Sequence, residues 1–322
     1  MSDQKNIKYS FREYAEKELL SIVVPCYNEE PCIAQFLEAI ESLRLAIDAE
    51  IIFVDDGSSD GTLARIKECI KVSNTSIKYV SFSRNFGKEA ALLAGLRKAR
   101  GDYVVTMDVD LQDPPSLLPE LLDSVKNQGF DCAATRRVDR RGEPPIRSFF
   151  ARMFYKLMQR YSDVALVDGA RDYRLMKRNV VNAILSMPEV NRFTKGIYQW
   201  VGFKTKWFAF ENVERERGKT KWSFPKLFSY AIDGGLAFST APLEYASILG
   251  CIGCFLSFCA FIFIIVRKLI WGDPVAGWAS LVCIMVFFFS ILLFYMGIFG
   301  LYLAKTYLET KHRPLYLINE EN

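Results

Sequence analysis

The sequence contains a single histidine, His312, so a zinc site built from imidazole ligands cannot be assembled from this chain. Its eight cysteines give no disulfide framework, because four are scattered through the charged N-terminal part and four lie in apolar runs near the C-terminus. The first twenty residues have no apolar signal region. A net charge of +4 is too small to indicate a nucleic-acid partner. These absences argue against an exported, disulfide-rich or nucleic-acid-binding protein.

Charge is also nearly missing from the C-terminal quarter. Charged residues are dense up to Lys226 and then almost absent until Lys305, apart from one short island. Two uncharged runs, Ala246–Val266 and Val275–Ala304, are each long enough as helices to cross a hydrocarbon core of roughly 30 Å. Because the connector is short, the two runs predict a transmembrane hairpin with both ends on one side.

Basic residues indicate which side of the membrane the hairpin ends occupy. Those before the first run and after the second outnumber Arg267 and Lys268 in the connector, which predicts cytoplasmic ends. The resulting division of the chain is an extension (1–14), a catalytic domain (15–212), a basic loop with a juxtamembrane amphipathic helix (213–242), the hairpin (243–305, with spans near 246–266 and 278–304) and a cytoplasmic tail (306–322).

The charged part of the chain alternates between short β-rich runs and amphipathic helical stretches. Predicted strands are Leu20–Val24, Ile51–Val54, Ile77–Phe82 and Tyr103–Met107, with helices near Ile33–Leu45, Leu63–Ile70 and Glu89–Lys98 between them. This order is typical of an α/β fold with a doubly wound, mainly parallel sheet. Ligands of such sheets bind where the strands end at their carboxyl edge.

Acidic and amide residues follow three of these strands. Asp108 and Asp110 come after the fourth strand, and Gln112 falls on the same side if the extended geometry continues. Oxygen ligands of this kind suit Mg²⁺ or Mn²⁺, which complete their coordination with substrate phosphates. A bound diphosphate is therefore expected. No Gly-x-Gly-x-x-Gly follows the first strand, so a dinucleotide Rossmann site is not indicated, and Gly218-Lys-Thr lacks the first glycine of a P-loop.

Four segments carry a resemblance to a known family: Ser21–Glu30, Val54–Thr62, Ser83–Lys88 and Met107–Pro115. Together they resemble family 2 inverting glycosyltransferases of GT-A fold, and within that family the polyprenyl-phosphate glycosyltransferases, such as dolichol-phosphate mannose synthase and bactoprenol glucosyltransferases. The resemblance implies transfer of a sugar, glucose by the form of the fourth segment, from a UDP-sugar to undecaprenyl phosphate at the bacterial cytoplasmic membrane, with Mg²⁺ or Mn²⁺.

The resemblance also assigns roles to individual residues. It implies a metal and diphosphate site, a donor site in which Asp56 accepts a hydrogen bond from the base, a carboxylate near the acceptor, and a set of basic residues that bind phosphate. The metal and diphosphate residues are Asp108, Asp110 and Gln112, and the donor residues are Pro25, Tyr27, Glu29, Asp56 and Lys88. The carboxylate near the acceptor is Asp172, and the phosphate-binding residues are Arg136, Arg147, Arg215, Arg217 and Lys221.

Several of these roles have alternatives. A phosphate acceptor with a second pKa of about 6 hardly needs a general base, so Asp172 is either a base, an orienting group, or a structural partner of Arg171 or Arg174. Lys88 either reaches a phosphate or begins a helix. The arginines either bind phosphate or form a basic, membrane-facing surface.

Two further segments, 149–160 and 224–238, combine large apolar residues with basic ones, as expected of helices in the headgroup layer or of core-facing helices. Three rival functions are considered: transfer of another sugar, processive polysaccharide synthesis, and nucleotide binding by a non-catalytic membrane partner. Processive synthases carry a Gln-x-x-Arg-Trp motif, which Gln199-Trp-Val-Gly-Phe does not provide. The oligomeric state, including a homo-oligomer, stays open.

Overall fold

The computed structural model describes residues 18–137, 169–187, 189–210 and 277–322, together with Val167 and isolated helical positions between 243 and 270. Within them lie eight strands and seven α-helices. The strands are β1 (Leu19–Cys26), β2 (Asp48–Asp55), β3 (Ser76–Phe82), β4 (Tyr103–Thr106), β5 (Cys132–Arg137), β6 (Ala170–Lys177), β7 (Thr205–Phe210) and β8 (Ile318–Glu321). The helices are α1 (Glu30–Ser42), α2 (Thr62–Val72), α3 (Lys88–Lys98), α4 (Leu118–Lys126), α5 (Arg178–Leu185), α6 (Thr194–Trp200) and α7 (Trp278–Thr310).

The strands form one mixed sheet in the order β7-β5-β6-β4-β1-β2-β3-β8. The four strands predicted from the sequence are its parallel centre, with β4 and β2 on either side of β1. β6 runs antiparallel to both β4 and β5, and β8 runs antiparallel to β3. The predicted α/β class is therefore confirmed, and the sheet is mixed: six of the eight described strands run parallel to one another, and β6 and β8 run antiparallel to them.

Helices cover both faces of this sheet, because the central strands are apolar on both sides. Along β1, Leu20, Ile22 and Val24 point to the core under α1, α2 and α4, whereas Val23 points to the core under α3, α5 and α6. Helix α3 approaches the sheet closely at Gly95, where a Cβ would lie 2.2 Å from Cγ1 of Val23. The result is a three-layer domain whose loops meet at the carboxyl edge of the parallel strands.

The C-terminal segment returns to this domain. Helix α7 contains the one stretch among the described residues, Ile284–Thr310, that is long and apolar enough to cross a membrane, and it is not buried within the protein. The chain then adds β8 to the edge of the sheet, where Asn322 Oδ1 accepts the Tyr79 N–H at 2.6 Å. The interval predicted as a tail thus contains the end of α7 and a sheet strand.

The first predicted span, 246–266, is described only at scattered positions. Those positions are helical, and Ile248, Leu249 and Phe255 among them are exposed. A two-helix hairpin therefore stays a prediction. The predicted basic loop and amphipathic helix at 213–242, and the amphipathic segment 149–160, lie outside the described residues.

Candidate active site

The predicted loops meet where the strand order reverses. β1 lies between β2 and β4, so the connections leaving β1 and β4 diverge and open a crevice beyond their carboxyl ends. The segment after β1 carries Tyr27 and Glu29, and the segment after β4 carries Asp108 and Asp110. The sheet therefore places the predicted donor and metal residues at one edge.

The loops after β1 and β2 are joined by hydrogen bonds on the donor side of this crevice. Asn28, at φ +51°, accepts the Ser59 N–H at 2.8 Å through Oδ1, and the Glu29 N–H donates to Thr62 Oγ1 at 2.9 Å. Pro25 is half-buried, whereas Tyr27 is 37% exposed. The predicted contact of Tyr27 with a nucleoside stays a prediction.

Asp56 is buried and ties the β2 loop to the segment before α3. Its carboxylate accepts the Phe86 N–H at 2.6 Å and the Gly87 N–H at 2.9 Å. Burial raises the pKa of Asp56, although these two backbone bonds oppose the increase. Gly57 follows at φ +65°, and a Cβ there would lie 2.4 Å from the Arg84 carbonyl carbon. Asp56 thus fixes a neighbouring loop, and its predicted bond to a base stays a prediction.

Lys88 joins two of the predicted carboxylates at the start of α3. Its Nζ lies 2.7 Å from Asp108 Oδ1 and 2.7 Å from Asp172 Oδ2. The Lys88 side chain is 39% exposed, and its ammonium group bridges the two acids. Lys88 is the first residue of α3, as one of its two predicted roles requires, and its contact with a phosphate stays a prediction.

Asp172 reaches Lys88 because β6 runs antiparallel beside β4. Thr106 pairs with Arg174 in this register, so Asp172 falls beside the residues that follow β4. The Thr106 hydroxyl also donates to the Asp172 carbonyl oxygen. Asp172 is therefore carried by a sheet strand, and it forms an ion pair with Lys88, while Arg171 adds a smaller electrostatic attraction.

Electrostatics keep this cluster ionised. Burial raises the pKa of Asp172, but Lys88, followed by Lys195, outweighs it and holds this pKa well below its usual range. Burial lowers the pKa of Lys88, yet the Asp108 and Asp172 carboxylates raise it above its ordinary value. Asp172 is consequently a weak proton acceptor at neutral pH.

Two residues that the prediction did not include complete the cluster. Arg171 Nε donates to Asp113 Oδ1 at 2.8 Å, and Arg171 Nη2 lies 3.9 Å from Asp108 Oδ2. Asp113 is buried, and its second oxygen has no hydrogen-bond partner among the residues that the structure describes. Burial raises the pKa of Asp113 against the opposing effect of Arg171. Asp113 lies in the segment Met107–Pro115 after β4, and this position is the one signal in the sequence that could have identified it.

The extended geometry expected for the metal ligands is wrong. β4 ends at Thr106, and Leu111 adopts φ +56°, so Asp108, Asp110 and Gln112 do not alternate along a strand. Asp110 Oδ1 instead accepts the Gln112 N–H at 3.2 Å. Among the residues that the structure describes, no three His, Cys, Asp or Glu side chains are gathered to hold a metal ion.

The donor chemistry of this turn nevertheless fits a divalent cation. Mg²⁺ is usually held by one or two carboxylates and completes its shell with water and substrate phosphates. Asp108 Oδ1 lies 2.7 Å from the Lys88 ammonium group, so an ion at Asp108 would share this carboxylate with Lys88. Asp108 and Asp110 therefore match the protein's share of such a shell.

The predicted phosphate-binding residues are only partly within the described chain. Arg136 is exposed on β5, where it pairs with Ala170 at the start of β6 and so lies on the Asp172 side of the sheet. Lys195, at the start of α6, was not predicted, and nothing in the sequence near it signals a site. Arg147, Arg215, Arg217 and Lys221 lie outside the described residues.

Comparisons with known proteins show which family this chain resembles. The model of the family described as glycosyl transferase family 2 matches residues 21–185. An uncharacterized glycosyltransferase of Synechocystis sp. is 42% identical over 94% of this chain and 95% of the relative. The bactoprenol glucosyl transferase of Shigella phage SfV is 38% identical over 94% of this chain and 98% of the relative. A glucosyl-3-phosphoglycerate synthase structure from Mycobacterium tuberculosis aligns with 67% of this chain and 76% of its own, at a TM-score of 0.45 and 20% identity, which is too distant to support an argument.

Proposed function

This chain belongs to glycosyl transferase family 2, and from that premise we propose that it transfers glucose from UDP-glucose to a polyprenyl phosphate and releases UDP. The resemblance predicted from the sequence segments is confirmed at the family level. The observation that carries the proposal is the Lys88 bridge between Asp108 and Asp172 in the crevice at the sheet edge. Glucose and the lipid carrier are suggested by the names of relatives, bactoprenol glucosyl transferases, that this chain matches over nearly their whole length.

Asp108 and Asp110 would hold a Mg²⁺ or Mn²⁺ ion on the donor side. Such an ion supplies positive charge to the departing diphosphate. Pro25 near the end of β1, and Tyr27 and Glu29 in the segment that follows it, lie on the β1 and β2 side of the same crevice, which suits a nucleoside beside that diphosphate. The ends of β1 and β2 and the loops that follow them are thus proposed to bind the UDP-sugar donor.

The acceptor phosphate would lie on the β6 side, near Lys88. A phosphate approaching a diphosphate needs cations because both groups are negative, and Lys88 and Lys195 supply them beside Asp172. The phosphate is already largely ionised at neutral pH, so no base has to remove a proton. We therefore assign Asp172 to orienting Lys88 rather than to proton transfer. A single displacement by the phosphate oxygen inverts the anomeric carbon without a covalent intermediate.

The C-terminal helix suits a lipid substrate. Helix α7 is exposed and apolar over a length that crosses a bilayer, and its end lies against the catalytic domain. We propose that α7 is the second span of a hairpin, that the first is near 246–266, and that the catalytic domain faces the cytoplasm of a bacterium. We also propose that the catalytic domain spans 15–212, the basic loop and juxtamembrane helix 213–242, and the hairpin 243–305.

The experiment is synthesis of the lipid product by the purified full chain in nanodiscs. Undecaprenyl phosphate, a panel of UDP-sugars, and Mg²⁺ or Mn²⁺ are supplied, and mass spectrometry identifies the lipid. We expect a glucosyl-phosphoryl lipid, lost on chelation and restored by adding either ion. Lack of a sugar-linked lipid from every donor would contradict the proposal.

Two matched variants separate catalysis from folding. Asp108→Asn should lower the rate by about 10²–10³-fold, because it weakens the proposed ion site. Asp131→Asn, which removes a surface ion pair with Lys177 away from the crevice, should stay within about twofold of the parent. Asp110→Ala addresses the non-catalytic alternative: unchanged cellular function with unimpaired membrane insertion would favour a binding partner over an enzyme.

A further inference from the structure

The end of α7 contacts the loop that leads into α6. Glu309 Oε1 accepts the N–H groups of Val190 at 2.8 Å and Asn191 at 3.1 Å. Lys305 lies one turn earlier on the same helix face and donates to Asn191 Oδ1 at 2.9 Å. Both side chains are half-buried, whereas most residues around them in α7 are exposed. The proposed membrane helix is therefore fixed to this loop by charged groups.

The same loop continues directly into the start of α6, which contacts Glu89 beside Lys88. Thr194, the first residue of α6, donates its N–H to Glu89 Oε2 at 3.0 Å, and its hydroxyl donates to the same oxygen. Glu89 follows Lys88 in α3, and Lys195 is the next residue of α6. A continuous set of contacts thus runs from Glu309 through the loop backbone to the neighbours of Lys88.

The sheet order assigns this set of contacts to one side of the crevice. The loops with Tyr27 and Asp56 follow β1 and β2, whereas Asp172 is on β6, beyond β4. Helix α6 packs into the core cluster that includes Met176 of β6. The loop held by Glu309 therefore belongs to the Asp172 side, where the proposed function places the lipid phosphate.

The segment after α7 is fixed as well, which makes the helix end a stable anchor. Tyr316 stacks on Phe82 with ring centroids 4.8 Å apart, and the Ser83 N–H donates to the Leu317 carbonyl oxygen at 3.0 Å. Lys98 pairs with Glu321 at 2.7 Å. The end of α7 is thus held between the 189–193 loop and the edge of the sheet.

We propose that Glu309 is a positioning residue for the acceptor phosphate, because it fixes the backbone of Val190 and Asn191 and so sets the start of α6 beside Asp172 and Lys88. This inference rests on the proposed function. It connects the helix that would lie in the membrane to the half of the crevice that would receive a membrane lipid. The nucleoside half makes no contact with this loop among the described hydrogen bonds.

The test compares Glu309→Ala with Glu309→Gln in the full chain in nanodiscs. We expect Glu309→Ala to raise the KM for undecaprenyl phosphate by roughly tenfold while the KM for UDP-glucose changes less than about twofold, since misplaced binding groups weaken only their own substrate. Glu309→Gln keeps an oxygen that accepts both N–H groups and should restore the acceptor KM to within about threefold. Hydrogen exchange of the 189–195 amides should quicken in the alanine variant alone.

Glu321→Ala is the matched control, because it removes an ion pair of the same C-terminal segment without touching the loop. It should leave both KM values and the exchange of 189–195 unchanged. Unaltered exchange or acceptor KM in Glu309→Ala, or an equal change in both KM values, would overturn the inference. If the parent chain made no sugar-linked lipid, the proposed function would fail, while the exchange measurement would still report whether Glu309 holds the loop.

Discussion

Replacing Lys88 with methionine tests the centre of the proposed site. The change keeps most of the side-chain length and removes the ammonium group that lies 2.7 Å from both Asp108 and Asp172. Two unit charges about 4 Å apart attract by about 4 kcal/mol near a protein surface. Because the Lys88 side chain is 39% exposed, solvent screening reduces its net contribution to folding to about 1 kcal/mol.

The expected loss of activity is larger than this loss of stability. Removing one preorganised group that stabilises transition-state charge costs roughly 10²–10³-fold in rate, or about 2.7–4 kcal/mol. We therefore expect Lys88→Met to fold and to make the sugar-linked lipid at least about 100-fold more slowly. Initial rates at saturating donor and acceptor, together with thermal unfolding in nanodiscs, measure both quantities.

Lys98→Met provides the control at the other end of the same helix. It also removes an ion pair, with Glu321, but lies away from the crevice, so its rate should stay within about twofold of the parent. A Lys88→Met enzyme that retained a rate within about fivefold of the parent would refute the assignment of Lys88 to the phosphates.

The pH dependence of folding provides a second check on Lys88. The Lys88 charge depresses the pKa of Asp172 in the folded chain, so the stabilisation is present above the ordinary carboxyl pKa of about 3.9. This stabilisation is lost as the pH falls through the depressed pKa that Asp172 has in the folded chain. The difference in unfolding free energy between parent and Lys88→Met should therefore shrink in strong acid, and a difference that grew there would contradict the pairing.

Two other predictions concern single carboxylates. Asp172→Asn should lower turnover yet leave the inflection of the pH profile near about 6, where the acceptor phosphate ionises; an inflection that vanished would restore Asp172 as a base. Glu50→Ala should lower the unfolding free energy by about 3 kcal/mol, because its buried carboxylate binds Ser21 Oγ at 2.6 Å, Lys78 Nζ at 2.6 Å and the Arg100 N–H at 2.9 Å. Denaturant unfolding measures this change, and a loss below about 1 kcal/mol would show that the pair with Lys78 is weak.

The central strands were predictable because their apolar runs and spacing are local properties of the sequence. Each predicted strand overlaps its observed counterpart, and the helix predicted at Glu89–Lys98 begins one residue earlier, at Lys88. The loops after β1, β2 and β4 could also be placed at one edge, since parallel strands end together. The outer strands could not, because antiparallel pairings such as β8 with β3 join residues far apart in the chain.

The contacts within the site were less predictable for the same reason. The bridge from Lys88 to Asp172 depends on the register of β6 against β4, which no sequence pattern records. Asp110 turns to the Gln112 backbone because Leu111 adopts a left-handed conformation, a detail that strand alternation does not anticipate. Residue types indicated the chemistry of the crevice, while their partners emerged only from the folded chain.

Asp172 is carried by a strand bonded on both sides, whereas Tyr27 and Glu29 are carried by the segment that connects β1 to α1. Connecting segments tolerate substitution and insertion far better than the interior of a sheet. Under the proposed function, the half of the crevice that would bind the donor is therefore freer to diversify than the half that would receive the carrier. Descendants of such a scaffold would be expected to differ in the sugar they attach more readily than in the kind of molecule to which they attach it.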